Sequence, residues 1–105
     1  TLRASSALAA SENGAWVELG DRTQLRLTLT VTAVSGTSPT LDVSIETASD
    51  SSGSNATTIG TFAQKTAAAS QYLICSGVGR FVRYVATLGG SASPTVTHSL
   101  MGEAV

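Results

Sequence analysis

The run Gln24-Leu25-Arg26-Leu27-Thr28-Leu29-Thr30-Val31-Thr32-Ala33 constrains the fold more than any other part of the chain. Apolar and polar residues alternate along it, and side chains of an extended strand alternate between its faces with that same period of two. On a helix these leucines would be scattered around the cylinder. The pattern predicts one long half-buried strand. Its Leu25, Leu27, Leu29 and Val31 row faces a core, and its Arg26/Thr row faces solvent or a partner.

The rest of the chain reads in the same way. After the turn Ser35-Gly36-Thr37-Ser38-Pro39, a second alternating strand sets Leu41, Val43 and Ile45 against Asp42, Ser44 and Glu46. Shorter strands are predicted at 15–19, at 58–63 with a bulge near Gly60, and at 71–76, where Tyr72 and Ile74 face one side and Leu73 and Cys75 the other. Residues 80–88 are apolar on both faces, as in a strand covered twice, and 95–101 closes the domain. Polar Gly/Ser loops separate these segments. Ser38-Pro39-Thr40 and Ser93-Pro94-Thr95 each follow a glycine-containing loop and open a strand, which suggests two equivalent corners.

Seven or eight short strands at this spacing give an all-β fold, a single antiparallel β-sandwich or jelly-roll-like domain over residues 14–105. Residues 1–13 are polar and Ala-rich. Ser5 and Ser6 could cap one helical turn through Ala10, but a helix that short has little stability of its own. An extended N-terminal arm, either disordered or tied down by a neighbour, is the expectation there.

Charged residues make up 12% of the 105 residues, about half the usual ~25%. So few charges suit a surface that meets protein. A net charge of −1 with six scattered basic residues argues against nucleic acid, which needs a clustered basic face. The single cysteine rules out a disulfide within the chain. No apolar run approaches a membrane span and no export signal is visible, so synthesis in the cytoplasm and no membrane partner are expected.

The residues that carry chemistry are sparse. His98 is the only histidine and sits on a predicted strand in phase with Val96 and Leu100. With one His and one Cys, neither a nucleophile–base pair nor a His/Cys zinc site can be drawn, and no catalytic residue, metal or cofactor is expected. Asp42 and Glu46, on one strand face, would lie roughly 13 Å apart, too far for a glycosidase acid pair. Asp50 and Asn55 occupy a Ser/Gly loop that reads as turn chemistry, since it lacks the carboxylates of a calcium loop. Arg80 and Arg83, flanking Phe81 and Val82, read as sheet-edge or inter-subunit ion-pair residues, with a grip on a carboxylate or sugar hydroxyls as the alternative. The lone Trp16 reads as a core or subunit-contact anchor, with sugar stacking as its alternative.

The stretch from Leu27 to Ile45, with Val34-Ser35-Gly36-Thr37-Ser38-Pro39-Thr40-Leu41 at its centre, resembles small β-sandwich virion proteins of tailed bacteriophages. The loop Asp50 to Gly53, the Thr61-Phe62-Ala63 strand end, the Arg80-Phe81-Val82-Arg83 strand and the closing strand after Ser93-Pro94 extend the resemblance to about residues 25–100. One departure is Asn55-Ala56-Thr57, where many relatives carry a tryptophan. The resemblance implies a capsid cement (decoration) protein or another head, neck or tail accessory protein, resident in the virion. It further implies binding to the major capsid protein or other virion proteins, and a homo-oligomer, most often a trimer. Its contact residues would include Thr1, Leu2, Arg3 and Leu8 of the arm together with Trp16, Arg80 and Arg83. The alternative is a carbohydrate-binding module, because 80–85 is also similar to the closing strands of discoidin-like domains.

Overall fold

The computed structural model describes residues 3–19, 24–53 and 55–104. Their regular structure is all β: β1 (Arg3–Leu8), β2 (Glu12–Asn13), β3 (Val17–Glu18), β4 (Gln24–Ala48), β5 (Thr57–Thr61), β6 (Ala69–Ser76) and β7 (Phe81–Ala104). All pairings between these strands are antiparallel. The main path of the sheet runs β1-β7-β4-β5, with β6 also on β4 and both β2 and β3 on β7.

Two strands organise everything else. β4 has 25 residues and β7 has 24, and they pair with each other from Leu25↔Ala104 to Ala48↔Phe81. Laid straight, β4 would span about 80 Å, yet the longest extent of the molecule is 42 Å. The β4–β7 ribbon is therefore doubled over, and its halves become the two layers of a β-sandwich. The first layer holds β6, the start of β4, the end of β7, and β1. The second holds β5, the end of β4, the start of β7, and the short β2 and β3. Leu27, Leu29, Val31 and Leu100 from the first meet Leu41, Val43, Ile45 and Val82 from the second in one buried cluster.

The fold line corrects the sequence reading. Residues 35–39 fold the chain from one layer to the other without making a hairpin between neighbouring strands, so the two alternating strands expected on either side are one strand, β4. Residues 89–94 likewise bend β7 without ending it. Both bends fall at the same place because β4 and β7 are partners there: Ser35↔Thr95, Thr37↔Ser91 and Thr40↔Gly89. The pairing slips between Ser35 and Thr37 and again between Thr37 and Thr40, and such bulges bend a ribbon. Gly36 (φ 96°), Ser38 (φ 48°) and Gly90 (φ 118°) take the left-handed backbone this requires. At Gly90 the strands nearly touch, since a Cβ there would lie 2.9 Å from the Ser38 carbonyl oxygen. Pro39 and Pro94 sit in the gaps of the ladder, where no N–H is missed. The two Ser-Pro-Thr segments are thus facing corners of one fold.

Two smaller differences have local causes. Ala33 is exposed because the register slips between Val31 and Ala33, which ends the inward alternation at Val31. Residues 3–8, expected within an arm, are extended but belong to the sandwich as edge strand β1. Leu8, opposite Val96, is 4% exposed and packs into the core. It is not available as a contact residue. Thr1 and Leu2 lie outside the described residues. The bulge expected near Gly60 is present, between the pairs Ile45↔Gly60 and Glu46↔Thr58.

Candidate binding face

Of the residues singled out from sequence, the structure brings Trp16 and Arg83 together. The β3–β7 register places them side by side on the outer face of the second layer. The Arg83 guanidinium lies 4.6 Å from the centre of the indole, and its Nε donates to Glu46 Oε1 at 2.8 Å across the ladder. The indole also abuts Gly53, where a Cβ would be 3.1 Å from the ring. Trp16 and Arg83 thus hold the N-terminal strands and the Asp50–Gly53 turn against the sheet. Arg80 stands apart, 64% exposed, in an ion pair with Glu18 at 2.6 Å. Arg3 lies on β1 opposite Leu100.

The other polar candidates resolve into local structure. Asp50 Oδ1 accepts from Ser52 N (3.0 Å) and Ser52 Oγ (2.7 Å), closing a turn over which Gly53 N donates to the Asp50 carbonyl. Asp42 accepts from Gln64 Nε2 at 3.0 Å. His98 is 1% exposed, with Nδ1 3.3 Å from the Val96 carbonyl oxygen, as in a core histidine satisfied by backbone. Cys75 is buried, and desolvation raises its thiol pKa above the ordinary value.

What sequence reasoning did not single out is the outer face of the first layer. Two cross-strand rows run over it: Tyr72–Thr28–Met101 and Ile74–Arg26–Glu103. They line a shallow groove of about 500 Å³. Tyr72 is 79% exposed, Ile74 66% and Met101 57%, an unusual concentration of large apolar side chains in water. Among the described residues, neither Arg26 nor Glu103 has a hydrogen-bond or ion-pair partner, although they are cross-strand neighbours of opposite charge. The groove therefore offers an aromatic ring, aliphatic flanks, one free donor fork and one free carboxylate. The signal for it was present in the alternation of 71–76, where both faces of the strand are apolar while a sandwich can bury only one.

No protein-family model matches the chain, and no curated protein matches it significantly in sequence. Solved structures do resemble it in fold. One of them, described as "CBM4 structure and function" and so a carbohydrate-binding module, superposes with a TM-score of 0.60 at 8% identity, covering 99% of this chain and 80% of that one. At that identity the likeness speaks for the β-sandwich fold.

Proposed function

We propose that this chain is a non-enzymatic binding domain that serves as a structural accessory of a tailed-phage virion, most simply a cement protein fastened to the major capsid protein. The observation that carries the binding role is the Tyr72/Ile74/Met101 face, which is exposed on the isolated chain and is dried only by a partner. The virion assignment rests on the sequence resemblance over 25–100 and on the low charge of the surface. Both long strands are bound into the fold along their length, which leaves a firm framework behind the exposed outer face.

Mass spectrometry of virions purified from the strain that carries the gene tests this. A cement protein is present at a copy number comparable with the capsid protein. Its absence from virions, with the protein expressed, rejects the assignment.

A second reading has its own observation. A sugar ring stacks on an exposed aromatic and is held by charged heads that can both donate and accept, and Tyr72 with Arg26 and Glu103 supplies that set. The CBM4 neighbour shares the fold on which such a face is built. Affinity electrophoresis in polysaccharide gels separates the readings. Retardation that disappears in Tyr72→Ala supports saccharide binding, and unretarded migration in all gels leaves the protein-docking role.

A further inference from the structure

Each sheet has edges, and an edge strand with free N–H and C=O groups is a template for another chain unless something guards it. Three edges of this sandwich are guarded. β1 is interrupted by a register shift between Arg3 and Ser6. β5 has five residues and a bulge. β2 and β3 have two residues each and carry Glu12 and Glu18. β6 is different. All eight of its residues pair with β4 in unbroken register, from Gln24↔Ser76 to Val31↔Ala69. It contains no charged residue and no proline. Among the described residues, no strand pairs with its other side.

This edge is also held rigid. The inner row of β6 is tied to the second layer: Gln71 Oε1 accepts from Ala63 N at 3.1 Å and from Lys65 Nζ. Gly60 makes room for Cys75 and Leu73, since a Cβ there would come within 2.6 Å of Sγ. Strand fraying therefore does not protect the edge.

We infer that β6 is a self-association edge, pairing antiparallel with β6 of a second copy about a two-fold axis at Leu73. The sequence of the strand chooses this occupant. Its outer row reads Ser70, Tyr72, Ile74, Ser76, which has the same order of polarity in both directions. With Leu73 on the axis, Ser70 faces the partner's Ser76 and Tyr72 faces the partner's Ile74, an aromatic–β-branched pair of the kind that stabilises antiparallel ladders. An isologous contact needs this self-complementarity, and a charged foreign strand would find no counter-charge on β6. The pairing lies in the plane of the sheet, so the two grooves come side by side on one continuous face. The inference goes beyond the proposed function and stands without it.

Velocity sedimentation of the intact chain over a wide concentration range tests it, with the variants Ile74→Lys and Met101→Lys alongside. The native chain and Met101→Lys should both sediment at twice the 10.6 kDa of one chain. Met101 shares the exposed face but lies on β7, away from the edge. Ile74→Lys should raise the dissociation constant about tenfold or more, by replacing the aromatic–β-branched pair with a charge against the partner's Tyr72 and setting two lysines diagonally across the two-fold. In a Cys75→Ser background, mixed Tyr72→Cys and Ile74→Cys chains should form a disulfide between copies, because directly opposed residues lie within its reach. A native chain that is monomeric throughout overturns the inference. So does an oligomer, trimeric or otherwise, that Ile74→Lys leaves intact, or a mixture of the cysteine variants that does not cross-link.

Discussion

Arg83 is held from two sides, by the indole of Trp16 and by the carboxylate of Glu46, and all three side chains lie on the outer face of the second layer. An arginine stacked and paired in this way ties the N-terminal strands to β7 and β4 together. Arg83→Ala should lower stability by about 1–2 kcal/mol, seen as a lower denaturation midpoint. It should also shift Trp16 fluorescence to the red as the ring becomes wetter. Arg80→Ala, which removes only an exposed pair with Glu18, should change the midpoint little. Cys75 gives a pH-dependent test. Burial pushes its thiol above the ordinary value in the folded chain, so between the unfolded and folded pKa values the unfolded chain has lost a proton that the folded chain retains. The stabilisation from keeping the thiol neutral is therefore fully present at neutral pH and is lost as pH rises through the folded pKa. Cys75→Ser should flatten the alkaline fall of a midpoint-versus-pH curve, and alkylation of the native thiol should be slow unless the chain opens. At this scale the residue types were legible: Trp16 and Arg83 stand out in the sequence. That they meet depends on the pairing of Val17 with Val82, which no local pattern encodes.

Among the elements, the corner matters most. Gly90 combines a φ of 118° with a Cβ position 2.9 Å from the Ser38 carbonyl oxygen. Gly77 also has a positive φ, 68°, but open space around it. Gly90→Ala should therefore cost about 2–4 kcal/mol and Gly77→Ala about 1 kcal/mol, a difference that paired thermal or urea melts resolve. Strand positions were readable from alternation, as Leu25 to Val31 and Leu41 to Ile45 show. The corners were read as ordinary turns because hairpin and bend use the same glycine and proline chemistry. The deciding factor is that the partner strand bends at the same level, and that partner lies 49 to 60 residues away along the chain. The outer groove escaped notice for a related reason. Tyr72, Arg26 and Glu103 come from three strands, and no spacing along the sequence joins them.

For the molecule as a whole, the defining pairs are distant in sequence, with Leu25 opposite Ala104 at one end of the ribbon and Ala48 opposite Phe81 at the other. Closing such loops before their contacts can form is slow, so refolding after a denaturant jump should take milliseconds to seconds, not microseconds. Stopped-flow fluorescence of Trp16 reads this directly. In an ordinary sandwich each layer owns its strands, and one layer can in principle loosen while the other persists. Here β4 and β7 each belong to both layers, so releasing either half drags on the backbone of the other. The two halves of this ribbon should therefore open together. Amide protons of Leu29 in one layer and Val43 in the other should exchange with the same free energy of opening, by a single global route.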